Sequence, residues 1–204
     1  MSEANVFGRI VTGMAVRAAV KAHLQLWFPT YLAEIARIED RDPALLPLFR
    51  SWVSALDLPE GKYEEHQMPC CVIVAPGLLQ EPERRGGSMI AKWAVSVGCV
   101  VSGQDRENTF GLAEMYAAAV RAAVAQHPSL GGFAAATDWL GERYDDIPND
   151  MLRTLAAGSV QFRVEVYNSL TPDAGPDEPL SDPIPDPGPR ATFVSVDATV
   201  GAMT

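Results

Sequence analysis

Between Ser88 and Gln126 the period of the apolar positions changes, and the change predicts two successive elements. Ala91, Trp93, Val95, Val97, Cys99 and Val101 alternate with Ile90, Lys92, Ala94, Ser96, Gly98 and Val100. Period two puts the first set on one face of a strand and leaves a half-polar set on the other. After the polar turn Gly103 to Asn108 the spacing becomes helical: Leu112, Met115, Tyr116, Ala119, Val120, Ala123 and Val124 form one stripe. Asp105 is placed to cap that helix, and its charge suits the positive end of the dipole. His127-Pro128 and the glycines Gly131-Gly132 stop it. The unit is a layer of sheet with a helix laid on it.

Earlier in the chain, Val11, Met14, Ala15, Ala18, Ala19, Ala22 and Leu26 make another helical stripe. Pro29 is expected to break it, and Thr30 to cap a second, short helix through Tyr31, Leu32, Ile35 and Ile38. From Ala44 to Pro59 the apolar residues are near-helical in spacing but contain Pro47, which predicts a short helix or an irregular segment against the sheet, with Trp52 in the core. Met68 to Gly77 is a continuous apolar run, hence a buried strand. The segment Leu78 to Gly87 reads as a loop too long for a tight hairpin, so its two flanking strands are expected to pair antiparallel through a long connection. Phe133 to Asp146, with Trp139 and Tyr144 spaced within it, reads as a strand. Leu152 to Ser169 alternates clearly: Val160, Phe162, Val164 and Val166 face one way, and Gln161, Arg163, Glu165 and Tyr167 the other. These elements predict an α+β core over residues 1–170: a mixed, mainly antiparallel sheet of about four strands, packed with helices.

Residues 171–204 have a different texture. Seven prolines from Pro172 to Pro189 are interspersed with Asp173, Asp177, Glu178, Asp182 and Asp186. Such a segment buries too little apolar area to offset its ordering entropy, so by itself this arm is expected to be extended or disordered. Ala191 to Val200 then alternates again and reads as an extra strand. Phe193, Val194 and Val196 are its candidate contacts, either on an edge of the chain's own sheet or added to that of a neighbouring subunit.

Composition narrows the function more than it defines it. The chain has 204 residues, an apolar fraction of 48% and a net charge of -10. A core of that size needs no disulfide or metal. The acidic balance argues against a protein that binds nucleic acid by neutralising phosphates. The three cysteines, Cys70, Cys71 and Cys99, have neither disulfide nor zinc spacing and read as buried thiols. Met1 to Asn5 lacks the basic-then-apolar order of a signal peptide, and no apolar run approaches a membrane span, so the expected site of synthesis and folding is a cytoplasm.

Candidate chemistry is sparse. Gly86-Gly87 is not followed by the Lys-Ser/Thr of a phosphate loop. His23, His66 and His127 have no metal-ligand spacing. His127 reads as a helix-end residue and His66 as part of a solvated cluster with Glu64 and Glu65. A Cys99–His127 nucleophile pair is disfavoured, because Cys99 lies mid-strand on the apolar face. The carboxylates Glu142, Asp145 and Asp146 read as solvated turn groups. No catalytic, cofactor or metal site is expected.

The order helix, strand, strand, helix, strand, strand resembles the tail terminator family (tail completion, minor tail protein U-like) of long-tailed bacteriophages and the related neck proteins. The residues that carry the likeness are the strand Trp93 to Val101, the turn Asp105-Arg106-Glu107-Asn108-Thr109 and the helix segment Met115 to Arg121. His127 to Gly132, Trp139 to Asp145 and the strand ending Arg163-Val164-Glu165-Val166 follow in the same order. The likeness covers roughly residues 1–170. It implies a non-enzymatic virion protein, assembled in the host cytoplasm, that forms a homohexameric ring on the tail tube. The implied partners are the chain itself, the tube protein and a head-tail connector or stopper. DNA would pass through the lumen unbound, which an acidic wall favours. Asp105, Arg106 and Glu107 are then expected at subunit contacts. A connector or stopper role in the neck is the nearest alternative, and a small-molecule enzyme on an α/β scaffold the alternative from another class.

Overall fold

A computed structural model describes residues 8–9, 11–53, 65–85, 88–147 and 154–170. Its elements in chain order are strand β1 (Gly8–Arg9), helix α1 (Gly13–Ile38), strands β2 (Ser51–Val53), β3 (Cys70–Leu78), β4 (Glu83–Arg85) and β5 (Ser88–Gly103), helix α2 (Arg106–Gln126), and strands β6 (Ala136–Ile147) and β7 (Thr154–Leu170). Single 3-10 turns lie at Pro43–Leu45 and Glu65–Gln67. The fold is α+β, with a mixed sheet and two helices. Among the described residues the sheet has seven strands rather than the expected four. The additional ones, β1, β2 and β4, span two or three residues each, too few to show a period.

The long strand β5 is central. It pairs antiparallel with β7 along its whole length, from Met89↔Asn168 to Gly103↔Thr154. Its other edge takes β3 and then β4, both antiparallel. Beyond β7 lies β6, also antiparallel, and beyond β3 lies β2, which runs parallel to it. The main path is β1–β7–β5–β3–β2, with β1 antiparallel to the end of β7, and with β4 on β5 and β6 on β7 lying off it. The expected long loop before β5 is corrected by β4. Arg85 already pairs with Ser88, so β3, β4 and β5 form one irregular hairpin, with a register shift between Val74 and Gly77.

Both helices pack on the same face of the sheet. The alternating apolar residues point there: Val95, Val97 and Cys99 of β5 lie beside Phe162, Val160 and Gly158 of β7. Val95, Val97, Val160 and Phe162 are essentially inaccessible to solvent. Each such side chain contributes about 1.5–3 kcal/mol by leaving water. α2 crosses the sheet closely at one point. A Cβ on Gly158 would stand 2.7 Å from the Ala113 carbonyl oxygen and 3.1 Å from Ala117 Cβ. The opposite face carries Lys92, Ala94, Ser96 and Gly98, all half-buried, and a small apolar cluster of Met68, Cys70 and Val100.

Helix α1 departs from its sequence reading in two ways. Pro29 does not break it; the helix runs through from Gly13 to Ile38. Proline removes one backbone donor, but Phe28, Leu32 and Ala36 on either side of it are fully packed, and that burial outweighs the lost bond. The second departure is the identity of the buried stripe. The core side is Val16, Val20, His23, Leu24, Phe28, Leu32 and Ala36. Met14, Ala18, Ala22 and Leu26, expected to be inside, face solvent. The cap is Thr12, whose Oγ1 accepts from the Ala15 amide at 3.2 Å.

Candidate functional site

Two surfaces stand out, one on each flank of the sheet. The first is the outer side of α1. His23 fixes the helix's rotation: its Nε2 donates to the Ala123 carbonyl of α2 at 3.0 Å, so that side faces α2. Lys21 is two residues away, roughly 200° around the helical wheel; it is half-buried, and its charge acts on Cys71 of β3. Beyond it the exposed row Met14, Ala18, Ala22, Leu26 follows the spacing of every fourth residue. Met14 is 70% and Leu26 68% accessible. No carboxylate occurs between Gly8 and Ala33, whereas Arg9, Arg17 and Lys21 all do. A helix that is apolar on nearly every side is normally covered on more than one. Sequence reading found this row but assigned it to the core; the signal for its real place was the second apolar row, Val16, Val20, Leu24, on the same helix.

The second surface is strand β6. One of its edges pairs with β7; among the described residues no strand pairs with the other. A register shift between Trp139 and Gly141 interrupts the alternation and leaves Trp139 and Leu140 both half exposed. Arg121 of α2 holds the strand from above. Its guanidinium sits 5.0 Å from the Trp139 ring centroid and donates to Glu142 Oε1 at 2.8 Å. The Tyr144 hydroxyl donates to Glu142 Oε2 at 2.6 Å. Burial, then the adjacent Glu142, pushes the Tyr144 hydroxyl's pKa well up, so it stays a donor. Glu142 is thus a strand residue nearly closed off from water, not the solvated turn group that sequence reading expected; its side chain is 10% accessible.

The predicted contact turn lies between these surfaces' supporting elements, and much of it is already engaged. Asp105 is the N-cap of α2, with Oδ1 accepting from the Asn108 amide at 2.8 Å. Arg106 pairs with Asp146 of β6 at 2.5 Å and lies over Phe110. Both partners are substantially exposed, so the pair stabilises by well under about 1 kcal/mol. Glu107 is exposed in the first turn. Phe193, Val194 and Val196 lie outside the described residues, as do the rest of the arm and its terminal strand.

The titratable groups assemble into no reaction centre among the described residues. Cys71 and Cys99 are register partners on the helix side, and Cys70 faces the other way. Burial raises all three thiols above their ordinary pKa, so none is a ready nucleophile. His127 ends α2 as expected, but is held by aromatic packing: it stacks on Trp27 at 4.0 Å and its Nε2 lies 3.2 Å from the Tyr31 hydroxyl. A cleft of about 370 Å³ opens between the end of α1 and α2, with Glu39, Arg41, Glu114, Arg121 and Tyr144 on its walls. Its arginines are committed, Arg41 to Asn108 at 3.1 Å and Arg121 to Glu142. No group of three or more His, Cys, Asp or Glu side chains could hold a metal ion among the described residues, and no described helix is long and apolar enough to cross a membrane.

No protein-family model matches the chain, and no curated protein matches it.

Proposed function

We propose that this chain is a structural subunit that closes head to tail into a ring, in the manner of a phage tail terminator. The ring would cap the tail tube and present the surface for head joining. The observation that carries the reading is the outer edge of β6. β6 is a 12-residue strand with Trp139 and Leu140 exposed along it, and no described strand pairs with its edge away from β7. Unpaired edges of that length attract other chains, and native proteins cover them. The opposite flank, formed by α1 and β2, is a different surface, which favours a heterologous contact that repeats around a ring over a two-fold dimer. Asp105, Arg106 and Glu107 project near the β6 end of that contact. The strand Ala191 to Val200, with Phe193, Val194 and Val196, is suited to add to a neighbour's β6 edge. The acidic wall of such a ring would let DNA pass without adhesion. The partners on its axis would be the tube protein and a connector or stopper.

Negative-stain microscopy of the full chain, alone and mixed with polymerised tail tube, tests this directly. Closed rings, seated at one end of the tubes, are the expected images. Rings that ignore tube ends would move the assignment to another part of the neck, and isolated monomers would refute it.

A further inference from the structure

The two flanks of the sheet match in direction and in level. β2 runs with β3, and β3 and β7 both run against β5. β6 runs against β7, so β6 and β2 point in opposite directions on opposite flanks. Unbroken registers connect them across the sheet. Ser51 is level with Cys70, Val100, Ala157 and, on the far flank, Asp145. By the same steps Trp52 is level with Tyr144, and Val53 with Arg143. Among the described residues no strand covers the outer edge of either β2 or β6.

Copies in a closed ring are related by rotation without rise. Where the strands run along the axis, that rotation brings residues of equal level together. The β6 of one copy and the β2 of the next then meet as an antiparallel pair. Their faces agree as well: Trp52 and Tyr144 both pack against the main core on the helix side, and Val53 packs with the small cluster on the opposite face.

Charge selects the register. A strand of three residues fixes little by itself, and period two allows only even shifts. In the unshifted register Arg50 stands opposite Asp146. Arg50 is exposed, and its charge acts on the Tyr116 hydroxyl of α2, which places it on the helix side. Asp146 is on that side too, paired with Arg106 of α2. A shift of two in one direction would set Arg50 against Tyr144 instead; the other direction would carry it past Ile147, the last residue of β6.

We propose that Ser51 to Val53 of one copy pairs antiparallel with Arg143 to Asp145 of the next, with Asp146 shared between its own Arg106 and the neighbour's Arg50. This rests on the head-to-tail ring proposed above and names the surface that the β6 edge meets. The sheet continues across the subunit boundary, and the β6 edge from Ala136 to Glu142 stays open for a further segment.

Two single-cysteine variants of the full chain, Val53→Cys and Arg143→Cys, test the register when co-assembled under oxidised glutathione, since the native thiols are buried. The mixture yields a disulfide-linked pair with one chain of each kind, and neither variant does so alone. Val53→Cys with Asp145→Cys, two residues out of register, stays largely unlinked. Charge exchange reads the same contact without cysteine. Arg50→Glu and Asp146→Lys each deplete the ring in native mass spectrometry, and the two together restore it, which a loss through misfolding would not allow. If the unsubstituted chain forms rings but Val53→Cys and Arg143→Cys do not link and the double exchange does not restore assembly, the pairing is overturned and the ring stands. A chain that forms no ring overturns both.

Discussion

Replacing Gly158 with alanine probes how closely α2 sits on the sheet. The added methyl group would be placed 2.7 Å from the Ala113 carbonyl oxygen and 3.1 Å from Ala117 Cβ. A carbon needs about 3.3 Å from a carbonyl oxygen, so the shortfall is roughly 0.6 Å against a backbone atom. That atom cannot rotate away; either α2 lifts or β7 bows. The surrounding contacts are tight, since Ala113, Ala117 and Val160 are fully buried. Overpacking of this kind costs about 1–3 kcal/mol. For a protein of this length that corresponds to a fall in Tm of roughly 2–12 °C. Urea unfolding followed by far-UV circular dichroism is the assay, with a lower midpoint and an unchanged slope as the expected result. Gly158→Ala within about 0.5 kcal/mol of the unsubstituted chain would refute the placement of α2. It would also remove the support for Arg121 over Trp139 and Glu142.

Further outcomes follow from single groups. Asp105→Ala should cost about 1 kcal/mol by removing the cap of α2, so its effect on assembly cannot be separated from stability. Glu107→Lys is the cleaner probe: assembly should weaken while the unfolding midpoint shifts little, and unchanged sedimentation would take the turn out of the interface. Burial, the largest influence on His23, holds its folded-state pKa below the ordinary 6.5, and nearby His127 lowers it further. The unfolded chain therefore takes up the proton first; the stability from neutral His23 is complete above about 6.5 and is lost as pH falls below it. Thermal unfolding between pH 7 and 5.5 should show this slope, flattened in His23→Gln, and an equal slope in both proteins would contradict it. With their pKa values raised by burial, none of the three thiols should react with a disulfide reagent in the native state, and all three should in urea.

The elements with a long, unbroken period were legible in the sequence. β5, β7 and α2 appear where alternation or helical spacing placed them, and Asp105 caps α2 as its position suggested. Short strands were not legible, since the three residues of β4 have meaning only through their pairing with Ser88 to Ile90. α1 was misread because local rules compete with tertiary packing. Pro29 carries a real local penalty, but the burial of Phe28 and Leu32 overrides it. The same helix has two apolar rows, and spacing alone cannot say which of two equivalent rows meets the sheet. Glu142 was assigned to solvent because nothing local reveals Arg121, a residue on another element, as its partner. The β6 edge, which carries the functional reading, is a property of topology and has no signature of its own in the sequence.

Native mass spectrometry of the full-length chain at micromolar concentration addresses the ring most directly. A single closed species is predicted, at six chain masses for the ring that the sequence resemblance implies, without the ladder of intermediates that an open polymer would give. Leu140→Glu, which places a charge on the β6 edge without touching the core, should convert that species to monomer. A wild-type chain that remains monomeric, or a two-fold dimer indifferent to Leu140, would contradict a head-to-tail ring built on β6.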